Sequence, residues 1–245
     1  MPETVLVTGS SRGIGLAIAE KYADMGCNVV FNCARSGDAM AKAVARCQTV
    51  CRNPNVMGVC ADVSDYGQVN MMRQHIRDRF GDVTILVNNA GLSHIGLFTD
   101  MLPEDWRRVL DVNLNAVVNC CHVFVPPMVQ AKSGAVVNIS SMWGVSGASC
   151  EAIYAAAKGG VNAFTKSLAK ELAPSGVRVN AIACGIIDTQ MNAGLTEAER
   201  AQLADAVPMG RFGQTQEIAQ IAYFLTSEAA GYLTGQIVTV DGGLT

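Results

Sequence analysis

The chain has 245 residues, half of them hydrophobic, and 18 Lys and Arg against 21 Asp and Glu leave a formal charge of −3. That length suits one large α/β domain with a substantial core. The mild acidity excludes the basic footprint of a nucleic-acid binder, and the apolar content excludes a disordered chain.

The start, Met1-Pro2-Glu3-Thr4, enters an apolar strand at 4–7 with no basic leader, and no uninterrupted apolar run reaches the roughly 18 residues of a membrane span. A soluble, cytoplasmic protein is expected. After the strand comes Thr8-Gly9-Ser10-Ser11-Arg12-Gly13-Ile14-Gly15, then helical spacing over 14–25. Glycines there let the backbone turn tightly and aim the helix N–H groups at a pyrophosphate. The spacing is Gly-x-x-x-Gly-x-Gly rather than Gly-x-Gly-x-x-Gly, so the loop alone also fits a plain strand-to-helix turn.

The second strand, 28–32, leads into Cys33-Ala34-Arg35-Ser36. A site for NAD usually places an acid here for the ribose 2′-hydroxyl. None occurs, and Arg35 together with Arg12 offers charge-assisted bonds to a 2′-phosphate, so NADP(H) is the expected cofactor, although an exposed Arg can be merely solvated. Helical spacing over 38–51, a third strand at 56–60 running on to Ala61-Asp62-Val63, a helix over 66–80 and a fourth strand at 84–87 follow. Asn88-Asn89-Ala90-Gly91 closes that strand, and the next helix, 104–125, carries Asn113 where an amide is a poor helix former and is expected to stop at Pro126-Pro127.

The fifth strand, 135–139, ends in Asn138-Ile139-Ser140-Ser141. Thirteen residues past Ser141, on the helix 152–172, Tyr154 and Lys158 stand one turn apart and share a face. A phenol titrates near about 10, and a neighbouring ammonium is expected to lower that value enough for proton exchange at neutral pH. Tyr154 then reads as a general acid/base, and the Ser141 hydroxyl as a donor to a developing oxyanion, or simply as a cap for the next turn.

The sixth strand, 177–182, precedes a break in the alternation at 187–213, where Thr196-Glu197-Ala198-Glu199 opens a short helix with a capping-box pattern. This insertion reads either as a substrate lid or as an ordinary surface excursion. A helix over 216–225 and a seventh strand at 236–240 complete the chain. Most strands are apolar at successive positions, as a parallel sheet covered on both faces requires, so the expected fold is a Rossmann-type doubly wound sheet of seven parallel strands in a single domain, 1–245. Nine cysteines without a CxxC pair read as free thiols of a reducing compartment. His75, His94 and His122 lie far apart without ligand-spaced partners, so no metal is expected.

In order and spacing, Thr8 to Gly15, Asp62, Asn88 to Gly91, Asn113, Ser141, Tyr154 and Lys158 resemble the classical short-chain dehydrogenases/reductases across essentially the whole chain. The resemblance implies a catalytic tetrad of Asn113, Ser141, Tyr154 and Lys158, with Asn113 holding a proton-relay water and Lys158 both lowering the Tyr154 pKa and holding the nicotinamide ribose. It implies cofactor contacts at Thr8, Gly9, Ser11, Arg12, Gly13, Ile14, Gly15, Ala34, Arg35, Asp62, Val63, Asn89, Ala90, Gly91, Tyr154 and Lys158. Gly185, Ile187 and Thr189 would add contacts after the sixth strand, where Cys184-Gly185 replaces the family's Pro-Gly.

Within the family, Gly210-Arg211-Phe212-Gly213 and Leu233 to Gly243 are most similar to the 3-oxoacyl-[acyl-carrier-protein] reductases of fatty acid biosynthesis, which implies a homotetramer, or a dimer, and a small-molecule or carrier-bound carbonyl substrate. That group docks its carrier protein through two basic positions, held here by Lys132 and Ser175. Ser141-Met142-Trp143-Gly144 and Gly147 to Glu151 are similar to reductases of a 5-aminopentanone modification on elongation factor P, and Glu151 either pairs with a cationic substrate or is a solvated loop acid. A hydroxysteroid dehydrogenase also fits, and a non-catalytic NADP(H) sensor is the reading from a different class.

Overall fold

A computed structural model describes residues 2–35, 37–51 and 55–245, with only the backbone of Met191; Met1 and Ser36, quoted above, lie outside the described residues. The strands are β1 (Thr4–Val7), β2 (Asn28–Cys33), β3 (Val56–Cys60), β4 (Ile85–Asn88), β5 (Gly134–Ser141), β6 (Val177–Cys184) and β7 (Ile237–Val240). They form one all-parallel sheet in the order β3-β2-β1-β4-β5-β6-β7. The expected seven strands and fold class are thus found, with ends displaced by a residue or two.

Successive apolar residues are needed because alternate side chains enter different cores. Val5, Val7, Val29 and Phe31 pack with Ile18 and Tyr22 of α1 (Gly13–Asp24) and with Ile218 and Leu225 of α9 (Thr215–Thr226). The intervening Leu6, Val30, Leu86 and Val136 face α3 (Tyr66–Phe80), α5 (Ala116–Ala131) and α7 (Ala152–Leu172). Each such fully buried side chain contributes roughly 1.5–3 kcal/mol. Tyr22 crosses from α1 to α9, donating to the Ala222 carbonyl at 3.1 Å and lying 2.8 Å from Thr226 Oγ1. The remaining helices are α2 (Gly37–Val50), α4 (Pro103–Leu110), the one-turn α6 (Trp143–Ser146) and α8 (Glu197–Ala206).

One expectation fails. The helix thought to run over 104–125 is α4, then a π-helical turn, Asp111–Asn115, then α5, which passes through Pro126 and Pro127 and ends only at Lys132 in left-handed geometry. Each proline removes an N–H; Pro126 and His122, whose carbonyl loses one of these partners, are both exposed, so water can replace that bond, while the other loss, at Pro127, falls on the carbonyl of buried Val123. The buried stripe Val117, Cys121, Phe124 and Met128 continues past the prolines and keeps the last turn on the sheet. The helical stretch Pro103–Ala131 is long and apolar enough to cross a membrane by length and composition alone, yet half of its most apolar window is buried in this fold. Counting uninterrupted apolar residues overlooks it.

Candidate active site

Because every strand points the same way, the segments after β1, β2, β3, β4, β5 and β6 emerge along one edge of the sheet. The strand order reverses between β1 and β4, the place where open α/β sheets bind ligands. The glycine loop sits there. Gly9 has φ +62°, and a Cβ on it would lie 2.8 Å from Ala90 Cα; a Cβ on Gly15 would lie 2.4 Å from Asn89 Nδ2 and 2.6 Å from the Gly9 carbonyl oxygen.

That close approach is fastened by side chains. Thr8 Oγ1 accepts from the Asn89 and Ala90 amides at 2.9 and 3.0 Å, while Asn89 Nδ2 donates to the Thr8 and Gly9 carbonyls at 2.9 and 3.1 Å. Thr8 and Asn89, expected to face a cofactor, spend these groups on each other. Two residues not anticipated at the site complete the brace. Asn32 Oδ1 accepts from the Gly9 amide at 3.3 Å and Asn32 Nδ2 donates to the Val59 and Ala61 carbonyls, while Ser10 Oγ accepts from the Asn32 amide at 3.0 Å. An Asn in an otherwise apolar strand was the available signal.

The residues present fit a dinucleotide. No side chain caps α1, and no acid occupies its first turn, so its N-terminal N–H groups are left for an anion. Ser11, Gly13 and Ile14 surround that end and are partly exposed, and Arg12 is exposed, its Nη1 donating to Gln190 Oε1 at 3.5 Å. Ala34 and Arg35 are exposed after β2, and Val63 is buried beyond β3. Burial alone would raise the Asp62 carboxyl. Bonds from Ser64 Oγ (2.6 Å) and Ser64 N (3.0 Å), with Arg108 and Arg35 nearby, outweigh it and hold the group below its ordinary value.

The four residues expected to be catalytic converge beside this loop. Ser141 ends β5, accepts from the Trp143 amide at 3.2 Å and lies near enough to the Tyr154 hydroxyl to favour its ionised form. Tyr154 lies in the first turn of α7, and Lys158 Nζ stands 5.7 Å from its ring centroid. Asn113 is fully buried in the π-helical turn. A Cβ built on Gly91 would fall 2.8 Å from Asn113 Oδ1 and 3.6 Å from Lys158 Nζ, so both flank Gly91.

The electrostatics correct one expectation. The phenol is not lowered: burial pushes Tyr154 up to about 12, against the lowering influence of Ser141, and Cys184 and Glu151 add to the rise. Lys158 is itself pushed down to about 8 by burial, and its Nζ donates to the Ile139 carbonyl at 2.8 Å rather than aiming at the hydroxyl. The Asn113 amide is also committed, donating to the Leu92 and Val109 carbonyls at 2.8 and 2.9 Å and accepting from the Leu92 amide at 3.3 Å. Its side chain braces the 92 loop.

Beneath the site a buried polar ladder sets the rotation of α7. Asn88 Nδ2 donates to Asn138 Oδ1 (2.9 Å), Asn138 Nδ2 to Thr165 Oγ1 (2.8 Å), and Ser140 Oγ to the Lys158 carbonyl (3.3 Å). Gly144 presses α6 onto α7 so closely that a Cβ there would lie 2.7 Å from the Lys158 carbonyl carbon.

On the open side, Ser93 Oγ donates to Glu151 Oε2 at 2.7 Å, and the Gly96 amide to the Cys150 carbonyl at 2.9 Å, joining the loops at 92–97 and 147–151. Cys184, buried in place of the family's Pro, accepts from the Met142 amide at 2.9 Å, and the Gly185 amide donates to the Val240 carbonyl at 2.9 Å, so neighbouring strands hold the turn. Ile187 is buried and Thr189 partly exposed beside the glycine loop. The capping box is present, with Glu199 N on Thr196 Oγ1 (3.3 Å) and Thr196 N on Glu199 Oε2 (2.9 Å). Lys132 and Ser175 precede β5 and β6 at the opposite edge of the sheet, a strand's length of roughly 25 Å from Ser141.

A doubly wound sheet with this Ser-Tyr-Lys cluster beside a glycine loop defines a nicotinamide-dependent oxidoreductase class, and the chain belongs to the short-chain dehydrogenase/reductase family. The family profile described as enoyl-(acyl carrier protein) reductase matches residues 9–245. The 3-oxoacyl-[acyl-carrier-protein] reductase FabG of Staphylococcus aureus is 39% identical over 244 residues, covering 100% of this chain and 98% of that protein. The FabG of Chlamydia trachomatis is 38% identical over 99% and 97% of the two chains. The oxidoreductase YmfI of Bacillus subtilis is 39% identical over 99% of each. Among solved structures, an Agrobacterium tumefaciens protein provisionally assigned as a gluconate dehydrogenase superposes with a TM-score of 0.94 at 33% identity, covering 99% of this chain and 95% of that one.

Proposed function

We propose that this oxidoreductase is an NADP(H)-dependent carbonyl reductase acting on 3-oxoacyl thioesters, carrier-bound ones included. The observation that carries the reading is the convergence of Ser141, Tyr154 and Lys158, the last one helical turn on, at the sheet edge that also bears the glycine loop. Arg35 and the absence of an acid after β2 favour the 2′-phosphorylated cofactor, and the FabG relatives favour the thioester. The bound cofactor supplies hydride chemistry. Ser141 orients the carbonyl oxygen by donating a hydrogen bond, and Tyr154, kept protonated by burial, passes a proton to that oxygen. Lys158 holds positive charge beneath the ring and binds the ribose, while Asn113 keeps the 92 loop against Gly91. The reverse oxidation uses the same groups.

In this reading the protein is cytoplasmic and homotetrameric. The edge strand β7, only partly covered in a sheet whose central strands are buried, is consistent with contact between copies. Residues 187–213 act as the substrate lid. Tyr154→Phe is expected to lower kcat by several orders of magnitude with NADPH affinity nearly unchanged, followed by NADPH absorbance and fluorescence titration; turnover within tenfold of the unsubstituted enzyme would refute the role of the phenol.

One observation favours a second substrate. The Glu151 carboxylate, held by Ser93 and close enough to Tyr154 to act on its hydroxyl, puts negative charge at the reacting end of the site, whereas Lys132 lies at the far edge. A ketone bearing an ammonium group, such as the aminopentanone modification, suits that charge. Faster turnover of amino-ketones than of 3-oxoacyl thioesters, lost in Glu151→Gln, would select this reading; indifference to the substitution would remove it.

A further inference from the structure

We propose that Arg200 is a positioning residue that couples placement of helix α8 to nucleotide binding at the glycine loop. The inference rests on the reading above that this loop takes a nicotinamide dinucleotide, and it concerns how the excursion after β6 is held against it.

The excursion leaves and re-enters the body through a narrow neck. The Asp188 amide donates to the Gly213 carbonyl at 2.8 Å and the Gly213 amide to the Ile186 carbonyl at 2.9 Å, pairing Ile187 with Gly213 as an isolated parallel bridge. Arg200, in the first turns of α8, touches both sides of this neck. Its Nη2 lies 2.8 Å from Asp188 Oδ2 on the outgoing side, and its guanidinium carbon lies 4.6 Å from the ring centroid of Phe212, a buried side chain on the returning side.

The outgoing limb rests on the glycine loop. Thr189 Cγ2 is 3.7 Å from where a Cβ on Gly13 would stand, Gln190 Oε1 accepts from Arg12 Nη1 at 3.5 Å, and Asn192 Nδ2 donates back to the Ile187 carbonyl at 2.7 Å. A guanidinium pulling on Asp188 therefore acts one residue away from the contact with Gly13.

Helix α8 needs such a tie because none of its own residues is buried. Its capping box satisfies only its own backbone, and its C-terminal end is anchored by buried Val207, which packs where a Cβ on Gly242 would come within 2.7 Å. The helix is thus hinged at Val207 and latched at Arg200. Both partners of the ion pair are about two-fifths exposed, so the latch contributes little to global stability and acts on local closure.

The test uses the full chain, with NADPH binding read by fluorescence titration, cleavage within 193–206 by limited proteolysis, and Tm. Arg200→Ala and Asp188→Asn are each expected to weaken NADPH binding about three- to tenfold, from an exposed ion pair plus a cation–π contact. Cleavage should accelerate, Tm should stay within about 2 °C, the double substitution should be no worse than either single one, and Arg200→Lys should recover part of the affinity. Unchanged affinity and cleavage in Arg200→Ala, beside tight binding by the unsubstituted protein, would overturn the latch while leaving the reductase reading intact. A fall in Tm matching the loss of affinity would make Arg200 merely structural. Failure of the unsubstituted protein to bind NADPH would overturn the cofactor reading and the coupling together.

Discussion

Replacing Lys158 by Met should make the protein more stable while abolishing turnover. Lys158 is 4% exposed, and burial lowers its pKa from 10.5 to about 8, which corresponds to about 3 kcal/mol of strain on the charged form at neutral pH. Met removes that burden but forfeits the bond to the Ile139 carbonyl, a loss on the order of 1–2 kcal/mol, so a net gain of about 1–2 kcal/mol remains. For a chain of this length that is a rise in Tm of roughly 2–8 °C. The sign of the pH dependence follows from the direction of the shift. Between pH 8 and 10.5 the unfolded chain holds a proton that the folded one has released, so raising the pH through that window relieves the unsubstituted protein but not the variant. Tyr154 works the other way, its raised value withdrawing stability only above pH 10, and both proteins share that loss. Denaturant unfolding at pH 7.0, 8.5 and 9.5 measures the gap. A variant less stable than the parent at pH 7, or a gap that does not narrow by pH 9.5, would refute the assignment of a strained, buried ammonium.

Two further substitutions probe the cofactor and the packing. Arg35→Asp should lower kcat/KM with NADPH about ten- to a hundredfold and improve the relative use of NADH, as expected on losing a charge-assisted bond to the 2′-phosphate; an unchanged preference for NADPH would show that Arg35 takes no part. Gly144→Ala should cost about 1–3 kcal/mol in denaturant unfolding, because its Cβ would meet the Lys158 backbone, and by shifting α7 should lower kcat by up to about a hundredfold with KM little altered. Wild-type kinetics in that variant would mean that the placement of Lys158 tolerates the shift.

Much of the candidate site is legible in the sequence because local chemistry advertises it. The glycines at 9, 13 and 15 follow a strand directly, Tyr154 and Lys158 are spaced by one helical turn, and Thr196 to Glu199 spells its own cap. Other features have no local signature. The passage of α5 through Pro126 and Pro127 depends on the exposure of Pro126 and His122 and on the burial of Met128, which no window of sequence reports. The side-chain bonds among Thr8, Asn89, Asn32 and Ser10 join residues up to about 80 positions apart, so their role as braces appears only when β1, β2 and β4 lie side by side.

Hydrophobic spacing and turn chemistry, which act over a few residues, were enough to determine seven parallel strands and most of the helices between them. Electrostatics needed the tertiary structure. How far the Tyr154 phenol rises and the Lys158 ammonium falls depends on burial and on which carbonyl the ammonium meets, and those are set by α7 packing against β5 and α6. Desolvation is a property of the whole surrounding fold, so the pKa values of Tyr154 and Lys158 were decided only when the chain closed around them.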